Sequence, residues 1–237
     1  PGIQILLWNY PGQAFTSFAD DAVLNNEYLA ACLDKLLQHL GPSGSIHIFD
    51  LDRPFYLLGH GVGGSVASCF AARHQPPGLR GLLLVNSPAY VDTHYASVLH
   101  DCANVFGCAP ETRPDLPVYF YSRFLFSKSY LVQTSAPLAL NLYTAVHNPI
   151  TLRGRIRLCL GMLNNMDTRP LLGDIDVPLI SIQGEEDSLV RPLHVKSYLN
   201  GRKASKTIPS AFKAPGKRTC ILMVKGGHEL FQEKKKQ

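Results

Sequence analysis

Only 17% of the 237 residues are charged, and no uninterrupted apolar run approaches the ~18 residues that a bilayer-spanning helix needs. The low charge argues against a disordered chain, and the short apolar runs argue against a transmembrane segment. No positively charged stretch followed by an apolar one opens the chain, so no secretory leader is expected. The first residue is Pro1 rather than Met, which points to a fragment or a processed product. The six cysteines include no C-x-x-C pair and no zinc-ligand spacing, so neither a metal nor another cofactor is expected. There is no N-x-S/T sequon, and Cys69 and Cys159 fall in apolar helical patterns that suit buried free thiols. A reducing, cytoplasmic location is the corresponding expectation. Internal repeats are missing too, which excludes a solenoid.

Acidic residues are absent between Gly201 and Arg218, a stretch that holds Arg202, Lys203, Lys206, Lys213, Lys217 and Arg218. The net charge of +5 is therefore local, carried by one basic segment on a nearly neutral body. A single basic loop is not a nucleic-acid-binding face. It is either a solvated loop or a docking surface for a protein partner or an anionic surface such as a membrane.

Against these absences stands a hydrophobic content of 46%, enough for a sizeable core in one domain with room for an inserted subdomain. Ile3 to Trp8 reads as a buried strand, stopped by Pro11-Gly12. Residues 21–40 predict an amphipathic helix, with Leu24, Tyr28, Cys32, Leu36 and Leu40 on a stripe widened by Leu29, Leu33 and Leu37. Further strands are expected at Tyr56 to Leu58, Leu82 to Val85, 178–182 and Thr219 to Val224, with helices at Val62 to Arg73 and 191–200. Apolar strands alternating with helices predict a mostly parallel sheet covered on both faces. Residues 90–168 lack strand signals. They carry Tyr119, Phe120, Tyr121, Phe124, Phe126 and Tyr130 and a helical pattern from Leu138 to Met162, the composition of a helical cap on a core formed by 1–89 and 169–237.

The stretch "YLLGHGVGGSVASCFAARH" sets an apolar strand before a glycine-rich turn and a small-residue helix. This is the strand, G-x-S-x-G turn and helix that presents a nucleophilic serine in α/β-hydrolases. Here the turn is Gly59-His60-Gly61-Val62-Gly63, and glycine stands where the serine belongs. Three more segments extend the resemblance to this superfamily over nearly the whole chain. "WNYPGQAFTSF" resembles the D-x-P-G-x-G-x-S segment after an early strand. "DIDVPLISIQGEEDSLV" resembles the strand leading to the acid of the triad, which falls on Asp187. "VKGGHELFQE" resembles the final G-H turn, which places the histidine at His228. The resemblance implies an α/β-hydrolase fold with a helical cap, entered after its first strands, which would lie upstream of Pro1. Through "YPGQ", "GHGVGG", "GLLLVN" and "FLFSKSYLVQ" the chain also resembles the N-myc downstream-regulated family, which keeps the fold without the serine and is regarded as non-enzymatic. The chain departs from that family in retaining Asp187 and His228.

A serine hydrolase needs an oxygen nucleophile, a base and a carboxylate that orients the base. Base and carboxylate are present here, and the nucleophile is not. Ser65 and Cys69 lie one and two turns inside the helix, and His60 flanks the turn sideways, so none has the exposed apex position. Asp187 and His228 are either a structural pair joining two loop ends or an acid–base dyad acting without covalent catalysis. The expected function is that of a pseudoenzyme serving as an interaction or scaffold module. The alternative is an enzyme, either a hydrolase disabled at its nucleophile or a His–Asp acid–base catalyst.

Overall fold

The computed structural model describes residues 4–234 apart from 15, 43, 47, 49, 111, 114, 135–151 and 203–217. Among the described residues four parallel strands form one sheet in the order β1 (Phe55–His60), β2 (Leu79–Val85), β3 (Leu179–Gly184) and β4 (Thr219–Val224). Every pairing is parallel, with His60 opposite Val85, Val85 opposite Ile182 and Gly184 opposite Val224. All four carboxyl ends therefore open onto the same edge of the sheet, the place where open α/β sheets bind ligands. Leu79, Leu82, Leu84 and Leu179 are fully buried, as continuous apolar runs in a sheet covered by helices must be.

Helices flank this sheet. α1 (Asn26–Leu40) is capped by the Asn25 side chain, which accepts a hydrogen bond from the Tyr28 N–H. Its buried stripe is Leu29, Leu33, Leu37 and Leu40, packed on α2 (Val62–Arg73) around Phe70 and Cys69. Of the rest of the expected stripe, Leu24 is buried, Cys32 and Leu36 are half-buried, and Tyr28 is exposed. Between β2 and β3 the chain forms α3 (Thr93–Cys108), α4 (Asp115–Leu125), α5 (Lys128–Gln133) and α6 (Leu152–Leu163). α3 and α6 pack together over Leu99, Cys102, Leu158 and Met162, joined by Leu24, Leu189 and Val190. Of the helix expected from Leu138 to Met162, residues 138–151 lie outside the described residues, and the remainder falls in α6. After β3 come a 3-10 turn, Pro192–His194, and α7 (Val195–Arg202), and the described chain closes with α8 (Leu230–Glu233).

One expected strand is not formed. Residues 4–8 run without sheet pairing, and Ile5 and Leu7 are 79% and 86% exposed. A strand is held by a ladder partner, and no described strand pairs with the outer edge of β1. Only Trp8 and Tyr10 turn inward, edge to face at 4.9 Å, against the α1–α2 layer.

Candidate functional site

β1 runs straight into the turn at Gly61, which has φ +54° and ψ −127° and serves as the N-cap of α2. That positive φ is strained for any residue with a Cβ. The sharp turn also needs bare backbone on either side. A Cβ on Gly59 would lie 2.4 Å from the Gly63 carbonyl oxygen, and one on Gly64 would lie 1.8 Å from Ser87 Oγ. Strand and helix can therefore meet at this angle only through glycine.

Asp187 follows β3, and His228 follows β4, so the parallel sheet delivers both beside Gly61. His228 Nδ1 donates to Asp187 Oδ2 at 2.9 Å, because a carboxylate can only accept. The other Asp187 oxygen accepts the backbone N–H groups of Leu189 and Val190, both at 2.9 Å. Gln183 Nε2 adds a long contact at 3.4 Å to Oδ2 and donates to the Val190 carbonyl at 3.0 Å. The carboxylate is thus held on both oxygens in a buried site, and it fixes the imidazole with Nε2 facing Gly61. A Cβ on residue 61 would stand 2.8 Å from that Nε2.

Charge is divided unequally between the two neighbouring imidazoles, whose rings are 4.8 Å apart. Burial pulls His228 down, but the charge and hydrogen bond of Asp187 and the charge of Glu229 outweigh it, so its pKa is raised. His60 is lowered, chiefly by burial and then by His228. Its Nε2 donates to the His228 backbone carbonyl at 2.8 Å, which makes it a support for the turn. It faces sideways, as its place beside the apex requires.

Gly61 holds the apex of the turn, and the nearby serines and cysteines lie elsewhere. Ser65 Oγ accepts from Asn26 Nδ2 at 2.9 Å in the buried α1–α2 contact. Ser87 Oγ is spent on the Val85 carbonyl at 3.1 Å. Cys69 is fully buried within the α1–α2 cluster, and burial pushes its thiol up to about 12. Cys159 lines the site, yet burial pushes it up to about 12 as well, far from a thiolate at neutral pH. Among the described residues, no group of three or more His, Cys, Asp or Glu is arranged to hold a metal.

A cavity of about 180 Å³ opens at the turn, bordered by Tyr10, Gly61, Phe106, Tyr121, Met162 and His228. Its walls come from α3 and α6, and its floor from the carboxyl ends of β1 and β4. Of the aromatics between residues 119 and 130, Phe126 is buried and stacks on Tyr130 at 5.3 Å. Phe120, Tyr121 and Phe124 pack against the α3–α6 cluster. Tyr119 is exposed.

Several residues of the site carried no signal in the sequence. Asn86, after β2, is wholly buried and sits in the left-handed region at φ 49°. Its Nδ2 donates to the carbonyls of Gly227 at 3.1 Å and His228 at 2.5 Å, and its Oδ1 accepts from Gly184 N–H at 2.7 Å. One side chain thereby ties three strand ends together. Glu233 accepts from the N–H and hydroxyl of Ser127 at 2.5 and 2.8 Å and from Gly227 N–H at 3.1 Å, pinning the His228 turn to the start of α5. Asparagine after a strand is common turn chemistry, so only the folded geometry distinguishes this one. Of the basic segment, Lys203, Lys206, Lys213 and Lys217 lie outside the described residues, Arg202 closes α7, and Arg218 is exposed before β4.

The family model described as the alpha/beta hydrolase fold matches residues 1–235. The chain belongs to the alpha/beta hydrolase fold family. An alpha/beta hydrolase enzyme from a Medee basin deep-sea metagenome library is similar in structure, with a TM-score of 0.69 at 19% identity over 94% of this chain and 72% of that one. An esterase from Exiguobacterium antarcticum superposes with a TM-score of 0.68 at 15% identity, covering 94% of this chain and 74% of the other. The enol-lactonase from Burkholderia xenovorans LB400 does so at 0.68 and 17%, covering 93% and 72%. At these identities the likeness speaks for the fold. No curated protein matches the chain.

Proposed function

We propose that this chain is a pseudoenzyme of the alpha/beta hydrolase fold, one that keeps the pocket and the His–Asp pair without the nucleophile and works as an interaction module. The observation that carries the reading is the residue in front of His228 Nε2. It is Gly61, which has no atom to attack with, and the neighbouring serine oxygens and cysteine thiols are engaged or buried. In this respect the chain is like the N-myc downstream-regulated family. The six free cysteines support a reducing, cytoplasmic setting. Arg202, Lys203, Lys206, Lys213, Lys217 and Arg218 are the proposed docking surface for an acidic protein or another anionic surface, and replacing the four lysines with glutamine should weaken capture most at low salt.

Hydrolysis of a panel of p-nitrophenyl esters by the full chain tests the reading. Rates at the buffer background support it, and turnover that disappears in His228→Gln sinks it. A second reading has one observation in its favour. His228 Nε2 faces the cavity and is oriented by Asp187, the arrangement of a general base that removes a proton without a covalent step. Deuterium incorporation from solvent into an enolisable ketone, dependent on His228, would favour that reading over the first.

A further inference from the structure

Glu229 follows His228 and is only 9% exposed, yet its carboxylate has no partner among the described residues. Its backbone is engaged on both sides. The N–H donates to the Leu125 carbonyl at 2.8 Å, and the carbonyl accepts from Gln232 and Glu233 at 3.0 and 3.1 Å. The residue stands at the N-cap of α8, but its side chain makes no capping bond and borders the cavity instead. From there its negative charge acts on both His228 and His60. Asp187, by contrast, is satisfied by His228, Leu189 and Val190. A buried carboxylate without a counter-charge is costly, and a cation entering the cavity removes that cost.

The walls decide which cation fits. Tyr10, Tyr95, Phe106 and Tyr121 border the cavity, with Phe106 and Tyr121 edge to face at 6.1 Å. Aromatic walls favour an organic ammonium over a strongly hydrated metal ion. Gln13 is neutral, and its Oε1 is taken by the Tyr10 N–H at 3.1 Å. Arg155 borders the cavity from the first turn of α6, with its guanidinium 5.9 Å from the Phe106 ring centroid. The floor is therefore acidic and the α6 side basic, which suits a ligand with one positive charge placed at the floor. A cavity near 150 Å³ accommodates benzene, so about 180 Å³ holds one ring with a short substituent.

We propose that the cavity binds a small organic monocation, its ammonium group against the Glu229 carboxylate and its apolar body among Tyr95, Phe106 and Tyr121. The site takes no atom from Gly61 and no space between that residue and His228. It goes beyond the non-hydrolytic reading and stands or falls apart from it. Binding is coupled to His228, which is faced by Asp187, Glu229 and His60 on the floor, while buried Tyr10, Tyr95 and Cys159 have raised pKa values and stay neutral. The ammonium takes over the negative charge of Glu229 that helps hold a proton on the imidazole, so its arrival expels that proton.

The test is calorimetric titration of the full chain with benzylammonium, benzyl alcohol and benzoate, in buffers of differing ionisation enthalpy, alongside NMR of histidine-labelled protein. Benzylammonium is expected to bind at least about tenfold more tightly than benzyl alcohol, and benzoate more weakly than either. Its affinity should rise from about pH 6 to about pH 8, with proton release and a shift of the His228 resonances toward the neutral form. Glu229→Gln should lower the affinity about tenfold or more, whereas Glu185→Gln, the same charge change at an exposed position, should leave it unaltered. Equal affinity for the ammonium and the alcohol, preference for benzoate, or binding that survives Glu229→Gln unchanged would overturn the proposal. If Glu229→Gln fails to fold, proton release and the imidazole shift in the unaltered chain decide the matter, and the absence of both overturns it. Turnover of a p-nitrophenyl ester is read separately, because it would overturn the non-hydrolytic reading and leave the cation site standing.

Discussion

A Cβ on Gly61 would stand 2.8 Å from Nε2 of His228 and 3.3 Å from its Cε1, so the imidazole has closed over the place where a nucleophile's side chain would be. The ring is not free to swing away, because Asp187 holds Nδ1 at 2.9 Å and the residue is buried. The bare glycine at position 61 and the close approach of the imidazole are two parts of one arrangement. Both Gly61→Ala and Gly61→Ser are therefore expected to destabilise the fold, by about 1–3 kcal/mol from the positive φ and the contact together. Urea unfolding measures this, and an unchanged midpoint would show that the turn tolerates a Cβ.

Asp187→Asn separates the two opposing influences on His228. With the carboxylate gone, burial dominates, and the imidazole pKa should fall from above its ordinary value of about 6.5 to below it. A folded-state pKa raised above the unfolded one stabilises the protein fully below about pH 6.5, and that contribution is lost as pH rises through the folded pKa. The stability gap between the unaltered chain and Asp187→Asn should accordingly be widest in mild acid and narrow toward alkaline pH. A residual gap should remain, because Asp187 also accepts from the Leu189 and Val190 N–H groups. Denaturant midpoints across the pH range check the sign.

His194 should act in the opposite direction. It is wholly buried against Tyr90, at a ring distance of 4.6 Å, and its Nε2 lies 3.4 Å from Asp92 Oδ2 without hydrogen-bond geometry. Burial lowers its pKa and outweighs the pull of Asp92, while Arg191 adds to the lowering. A histidine kept neutral by the fold costs stability as pH drops below about 6.5 toward the folded pKa. His194→Gln removes that penalty, so the variant should lose less stability than the unaltered chain between about pH 7 and pH 5. An equal loss in both proteins would remove His194 as a source of acid sensitivity.

Asn86→Ala is expected to be the most damaging single change at the strand ends. It strands the Gly184 N–H and the Gly227 carbonyl, at about 1–3 kcal/mol for each buried group left unpaired, or roughly 2–6 kcal/mol in all. The His228 carbonyl retains His60 as a donor. Thermal unfolding would register the loss, and a change below 1 kcal/mol would show that water replaces the amide.

The repeating core was legible in the residues because its periodicities are strong. The helix over Val62–Arg73 and the strand over Thr219–Val224 form where apolar spacing and flanking glycines put them. The order of Gly61, Asp187 and His228 along the chain was enough to bring them together, because a parallel sheet places every carboxyl end on one edge. Ile3 to Trp8 reads as a strand by composition alone, but strand formation depends on a partner that composition cannot reveal. The site's supports were invisible for a related reason. Asn86 and Glu233 act across 98 and 106 residues of sequence, on Gly184 and Ser127 respectively, and no local pattern encodes such contacts.

The central claim, that the turn carries no nucleophile, is tested most directly by intact-protein mass spectrometry after incubation with a fluorophosphonate. That reagent forms a stable adduct with an activated serine oxygen held beside a histidine base. The account predicts an unchanged mass for the full chain, with a serine hydrolase run in parallel labelled to completion. A single stoichiometric adduct that is lost in His228→Gln would contradict it, because it would mean that some residue performs the role for which Gly61 has no side chain.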